Sequence, residues 1–564
     1  MSLYQAHRPF PSMFGLGGGG AHGRLCAHGH GRGLGLGRRA PRRVSRRPRR
    51  QEVSRACGIV GVVLQPGSGG CSKDIYEALL MLQHRGQDAS GMVTYDGTHF
   101  TEIKDKGLVS DVFGEKEMQK MASAGRIGIG HVRYPTAGGV LASDAQPFFV
   151  NSPLGIYLVH NGNLTNADEL REILRGTDSF FNRHLRTSSD SEVLLNVLAD
   201  AIHRQHQKCV LNDCCDPETN IQRLVIDAVK ECMSVLKGAY SVVAIIDGVG
   251  LLAFRDPYGV RPLSIGRRAP VDSDKGWEYA VASEDCTFGP LEMTHLRDVA
   301  PGECVIIDQE GNITSEQVSE KSELKPCVFE YIYLARPDSV LNDISVYEYQ
   351  LAMGTRLARK IQETKWPIDV VVPVPDGSRP ACIQISSELG LPYREGLVKN
   401  RYIGRTFIMP DQKTRSSSVR RKLNAMSAVF EGKNVLLVDD SIVRGTTMSQ
   451  IVNMVRKAGA KRVYLASASP PVKHANVYGV DMPSKRELVM ANLTEEELCE
   501  RLGADGIIFQ TVDDLLEAGR ELNPNIVDFE ASCFTGHYLP DVDAEYLEAQ
   551  EVSDRASRSE AVIS

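Results

Sequence analysis

Residues 434–451 read NVLLVDDSIVRGTTMSQI. An apolar run makes a strand, two acids stand at its carboxyl end, and a turn rich in Ser, Gly and Thr follows. Helical periodicity begins near Thr446. Strand, polar turn and helix in that order are how a parallel sheet presents a ligand crevice at its carboxyl edge. Outward from this stretch, IDVVVPVP (368–375), KRVYLASAS (461–469) and DGIIFQ (505–510) are apolar, β-branched runs separated by helical segments. Strands buried on both faces and alternating with helices predict a doubly wound α/β domain.

The turn carries chemistry. Exposed backbone N–H groups at a helix start suit a phosphate, and Ser441, Thr446 and Thr447 add hydroxyl donors. Adjacent carboxylates repel unless hydroxyls or a cation meet them. Asp–Asp also ends strands and caps helices in plain structural roles. Its coincidence with the hydroxyl-rich turn favours a site for a phosphorylated sugar.

The stretch resembles the phosphoribosyl pyrophosphate (PRPP) signature of type I phosphoribosyltransferases. That resemblance implies that Asp439 and Asp440 hold the ribose diol and Mg²⁺. It also implies that Ser441, Val443, Arg444, Gly445, Thr446 and Thr447 bind PRPP at its 5′-phosphate. VVVPVPDGSRPA (370–381) resembles the family's pyrophosphate-side loop. The family usually has Ser or Thr directly after Pro-Asp, whereas this chain has Gly377. Either Ser378 becomes the metal ligand or a water does. Residues 399–424 are basic, with one acid and with Gly and Pro that permit movement. Beside a pyrophosphate leaving group they form a closing lid in which Arg405 and Lys422 bind PRPP.

The first half has a different rhythm. CGIVGVVL (57–64), LQHRGQDASG (82–91), GHVRYPTAGG (130–139), HNGNLTN (160–166) and TSSDSE (187–192) lie among short β-rich runs with amphipathic helices between them. Clustered strands with helices outside predict an α+β layered domain. Residues 205–222 read as a polar surface excursion. Jointly and in order, the quoted pieces resemble the glutaminase domain of N-terminal-nucleophile (Ntn) amidotransferases, a four-layer αββα fold. The resemblance implies that Cys57 is the nucleophile and that Asn161 with the N–H of Gly162 supplies the oxyanion donors. Arg133 takes the glutamine carboxylate, Asp190 takes its ammonium, and Arg85 and Gly86 line the pocket.

With both halves present, and FEYIYLARPDSVLNDISVY (329–347) joining them, the chain resembles the glutamine PRPP amidotransferases. The resemblance implies glutamine-dependent amination of PRPP, an early step of purine synthesis, with purine nucleotides as feedback inhibitors and a homo-oligomeric, cytoplasmic enzyme. Some relatives hold a [4Fe–4S] cluster on four Cys. Here Cys327 and Cys533 match, but Asn476 and Glu530 stand at the other positions, so no cluster is expected. A different Ntn glutaminase with sugar-isomerase domains would lack VDDSIVRGTT. A PRPP-sensing protein without catalysis would not need Arg133, Asn161 and Asp190 in order.

Composition sets the bounds. The 564 residues are 42% hydrophobic and 24% charged, as in globular proteins, with no apolar run of membrane-spanning length. Thirteen scattered Cys predict reduced thiols. Residues 1–56 hold twelve Arg, no Lys and one acid, about +11, whereas the whole chain is −6. The body is therefore acidic, which argues against nucleic acid as a partner. The expected plan is a basic disordered extension at 1–56, a glutaminase domain at 57–300, a phosphoribosyltransferase domain at 301–540 and an acidic disordered tail at 541–564. The Arg-rich extension also has the composition of an organellar presequence. A Cys57 nucleophile requires a free α-amine, so the extension is expected to be absent from the active enzyme.

Overall fold

The computed structural model describes residues 57–122, 125–134, 142–176, 183–212, 221–270, 276–400, 423–480, 482, 485–540, 542 and 546–548. Two antiparallel sheets form the first half. One has seven strands in the order Thr294–Asp298, Ser264–Arg268, Glu278–Ala282, Gly58–Val63, Ile127–Arg133, Ala89–Tyr95 and Phe100–Lys106. The other has six, in the order Ile313–Gln317, Glu303–Ile307, Gly250–Arg255, Gly238–Ile246, Ile156–Leu164 and Phe148–Val150.

Strand alternation explains the layering. Ile59, Ile129, Val159 and Val243 point into the core between the sheets. At positions of the opposite parity, Val60 and Val132 face the Ser72–Met81 helix, and Leu158 and Val242 face the helices Asp190–Asn212 and Ile221–Val235. Three cores therefore separate four layers, αββα. Gly61 packs so closely on Val243 and Leu251 that any Cβ there would collide with them.

Three expectations change. The domain boundary at 300 falls too early, because Glu303–Ile307 and Ile313–Gln317 pair onto the six-stranded sheet. The excursion at 205–222 begins as helix, since Asp190–Asn212 keeps an inward face through Leu198, Ile202 and Cys209. Cys209 is disulfide-bonded, against the expectation of thiols throughout.

In the second half, the four strands Val370–Pro373, Asn434–Asp439, Arg462–Ser467 and Gly506–Phe509 lie side by side and parallel. Helices Val346–Thr364 and Arg379–Leu389 cover one face through Leu357, Ile361, Cys382 and Ile385. Thr446–Lys457 and Glu495–Leu502 cover the other through Ile451, Val455 and Leu498. Burial on both faces explains the uninterrupted apolar strands. A π-helical turn, Glu330–Leu334, stands in the segment between the halves. Of the tail expected to be disordered, Tyr546 and Leu547 pack beside the core of the second half. Among the described residues no helix is long and apolar enough to cross a membrane.

Candidate active sites

Cys57 directly precedes the Gly58–Val63 strand, fourth of seven in its sheet, and is fully buried. Gly58 pairs with Val132, so the register continues Cys57 to Arg133. Alternation puts Cys57 on the same side as Ile59, Arg133 on that of Ile129, and Asn161 on that of Val159. Thiol, guanidinium and amide therefore face the space between the two sheets.

Asn161 is fully buried, and among the described residues neither its Oδ1 nor its Nδ2 has a hydrogen-bond partner. A buried amide left unmade costs about 1–3 kcal/mol, so it is an investment a ligand has to recover. Gly162 follows at φ +150°, where a Cβ would strike the carbonyl of Ala239. Arg133 Nη1 donates to the carbonyl of Asp144 at 3.2 Å. Asp190 opens its helix and its Oδ2 accepts from Leu164 N–H at 3.1 Å, fixing the carboxylate at the end of the Asn161 strand. Gly86 lies against the backbone of Val132 and Arg133.

Arg85 stands beside the nucleophile strand, its Cβ 3.4 Å from where a Cβ on Gly58 would lie. Its guanidinium is buried and bonds Glu284 through Nε and Glu330 through Nη1 (3.3 Å) and Nη2 (2.7 Å). Arg261 joins from the far side at 2.8 Å from Glu330. With every nitrogen engaged by carboxylate, the side chain ties this loop to the π-helical turn. Burial alone would raise the Glu284 carboxyl, but Arg85 and His84 outweigh it and hold it well below the usual range.

At the second site, Asp439 ends its strand and its Oδ1 accepts from Asp440 N–H at 3.0 Å. Burial first, then the Asp440 carboxylate, push the Asp439 carboxyl well above its ordinary value. Ser441 Oγ donates to Asp440 Oδ1 at 2.9 Å. Gly445, at φ +72°, leads into the Thr446–Lys457 helix, whose first residues Thr446 and Thr447 are exposed. Arg444 pairs with Glu487 at 3.2 Å, and the carbonyl of Val443 accepts from Val489 N–H at 2.9 Å. The turn is thus braced from residues 487–489.

Ser378 does not join the acid pair. It is 1% exposed and its hydroxyl donates to the carbonyl of Val374 at 2.7 Å, one turn back. Arg405 and Lys422 lie outside the described residues. Among the described residues no group of three or more His, Cys, Asp or Glu is placed to hold a metal ion. Two hard carboxylates still fit Mg²⁺, which keeps waters and substrate phosphates as its other ligands.

Cys327, Asn476, Glu530 and Cys533, the four positions matched to the cluster ligands, come together. Cys327 pairs with Glu530 along the backbone, Asn476 Nδ2 donates to Glu530 Oε2 at 3.3 Å, and Ser532 N–H donates to Oε1 at 2.8 Å. Burial and the Glu530 charge raise both thiols well above their ordinary range. A carboxyl–amide pair where two thiolates are needed does not fit a four-cysteine iron–sulfur cluster.

Sequence reasoning missed the contact between the halves. Asn163 Nδ2 donates to the carbonyl of Val477 at 2.8 Å and to Tyr546 Oη at 3.3 Å. These pairs span more than 300 residues and leave no local pattern to read.

Family models match both halves: a glutamine amidotransferase domain over residues 133–288 and a phosphoribosyl transferase domain over 348–480. The amidophosphoribosyltransferase of Escherichia coli (strain K12) is 50% identical over 498 residues, covering 87% of this chain and 94% of its own. That of Saccharomyces cerevisiae is 43% identical over 501 residues, covering 88% and 94%. The glutamine PRPP amidotransferase from B. subtilis, solved in complex with ADP and GMP, superposes with a TM-score of 0.72 at 39% identity, over 86% of this chain and 97% of its own. A structure described as the allosteric regulatory enzyme of purine biosynthesis superposes with a TM-score of 0.74 at 38% identity, over 88% and 99%. The chain belongs to the amidophosphoribosyltransferase family, pentosyltransferases that use glutamine to aminate PRPP in the first step of purine synthesis.

Proposed function

We propose that the two sites act in series on one ammonia molecule. The Cys57 thiol attacks the glutamine side-chain amide, its own α-amine taking the proton. Asn161 Nδ2 and the Gly162 N–H hold the oxyanion, Arg133 the substrate carboxylate and Asp190 its ammonium. The buried, unpartnered amide of Asn161 carries this reading. A preorganised donor of that kind is worth about 10²–10³ in rate.

Ammonia freed in the first half attacks C1 of PRPP in the second, giving 5-phosphoribosylamine and pyrophosphate. Asp439 and Asp440 hold the ribose diol, and the turn through Ser441, Val443, Arg444, Gly445, Thr446 and Thr447 holds the 5′-phosphate. Arg405 and Lys422 close over the pyrophosphate. Mg²⁺ bound at the acid pair supplies positive charge where the leaving group develops negative charge. The neighbour's ADP and GMP support purine nucleotides as inhibitors of this chain, and the Asn476–Glu530 pair supports an enzyme without an iron–sulfur cluster. We assign it to the cytoplasm as a homo-oligomer.

Cys57→Ala tests the division of labour. Glutamine-dependent amination is expected to vanish while amination by high ammonia persists, and equal loss of both would overturn two coupled sites.

A further inference from the structure

We propose that Gly377 is a positioning residue that sets where the Asp440 carboxylate stands, and through it how firmly the phosphoribosyl site holds a divalent cation. A Cβ built at Gly377 would overlap Asp440 Oδ2 and lie 3.4 Å from its Cγ. The carboxylate fills the volume that any side chain at 377 would claim. Its other oxygen accepts from Ser441 Oγ at 2.9 Å. Asp440 is therefore held between the hydroxyl of the 5′-phosphate turn and the backbone of the pyrophosphate-side loop.

The neighbours of Gly377 offer that space nothing. Asp376 pairs with Arg379 and Lys399, each at 2.6 Å. Ser378 turns its hydroxyl back to Val374. A hydroxyl is expected at position 377 in this family, and without it the loop contributes no side-chain oxygen from 376–378 toward the acid pair. Asp440, leaning onto the loop, reaches across in its place. A methyl group at 377 pushes the carboxylate away and returns no donor. Threonine pushes it equally and returns an oxygen.

The proposal rests on the assignment of the cation to Asp439 and Asp440, and the test separates the two. Mn²⁺ binding to the full-length chain with saturating PRPP is measured by the electron paramagnetic resonance of unbound Mn²⁺. Gly377→Ala is expected to weaken binding by more than about fivefold, as losses of supporting contacts around metal ligands do, and Gly377→Thr to bind more tightly than Gly377→Ala. Asp439→Asn weakening binding while Gly377→Ala stays within about fivefold of the parent overturns the positioning role alone. No effect from Asp439→Asn overturns the underlying assignment. If Gly377→Ala does not fold, Asp440→Glu carries the test, because a longer carboxylate has no room above the Gly377 backbone. Retention of Mn²⁺ affinity within about fivefold by that variant overturns the proposal.

Discussion

Gly479 of the second half lies against Gly162 of the first, so close that a Cβ on Gly479 would come within 3.0 Å of both the Gly162 carbonyl carbon and oxygen. Gly479 has φ +95° and Gly162 φ +150°, so both are in backbone regions that L side chains avoid. The contact places a loop of the phosphoribosyltransferase half on the Gly162–Asn163 peptide, next to the peptide whose N–H is expected to donate to the oxyanion. Gly479→Ala is expected to lower glutamine-dependent kcat by about 10²-fold, the effect of losing one oxyanion donor. Amination with high ammonia checks specificity and is expected to change little. Parallel loss of both activities would show a general folding defect instead.

Asp439→Asn removes one charge of the acid pair and keeps its shape. PRPP use is expected to fall strongly while basal glutaminase stays largely intact, read as separate steady-state assays. Unchanged PRPP affinity would remove the role assigned to this carboxylate.

The ion network around Glu330 predicts a stability effect. Glu330→Gln leaves Arg85 and Arg261 buried beside a neutral amide, and breaking a buried pair costs roughly 3–5 kcal/mol. Thermal unfolding should show a clear fall in Tm. Glu284 gives the pH dependence its sign. Its folded-state pKa lies well below the ordinary carboxylate value of about 4.3, so its stabilisation is complete above that value and is lost only as pH falls toward the lowered pKa. The Tm gap between parent and Glu284→Gln should therefore be constant from about pH 5 to pH 8. A gap that closes below pH 7 would contradict the assignment.

Legibility in the sequence declined with distance along the chain. Asp439 through Thr447 are contiguous, so strand, acids, turn and helix declared themselves together. Cys57, Arg133 and Asn161 were legible because each sits in a glycine-rich motif on its own strand. The ion partners of Arg85 were not legible, because QHRG does not show that Glu284 and Glu330, about 200 and 245 residues away, take its guanidinium. The boundary at 300 failed for a similar reason. Neither the short apolar run 303–307 nor the polar run 313–317 names its sheet, and only pairing assigns them to the first half.

The buried meeting of Asn476 with Glu530 predicts a protein without iron. Asn476 is locked in orientation, its Oδ1 accepting from the N–H groups of Tyr478 (2.9 Å) and Val480 (3.1 Å) while Nδ2 faces the carboxyl. Purified protein should contain no iron or acid-labile sulfide and no visible charge-transfer absorbance. Stoichiometric iron with sulfide would overturn the reading. Glu530→Gln should destabilise by about 1–3 kcal/mol, since it sets one amide N–H₂ against another at a buried position. Chemical denaturation checks the magnitude.

The chain active with glutamine is expected to begin at Cys57. As an internal residue its nitrogen is a peptide amide with no useful basicity, whereas as the first residue it is an α-amine with a pKa near 8, able to take the thiol proton. The position adds a steric demand. Cys57 is fully buried at the head of a central strand, on the face that looks between the sheets. Glutamine must reach the thiol there, and in the 564-residue chain the nitrogen that has to act as base is acylated by Ala56, with Arg55 next along the chain. A chain encoded as Met-Cys57 should hydrolyse glutamine after methionine removal, which the small Cys side chain permits, while the 564-residue chain should not. Both should aminate PRPP with ammonia, which separates loss of the nucleophile from loss of the fold. Intact-mass measurement of each preparation decides the matter. A chain shown to retain residue 1 and still turning over glutamine at the rate of the shorter form would leave the α-amine with no part in the reaction.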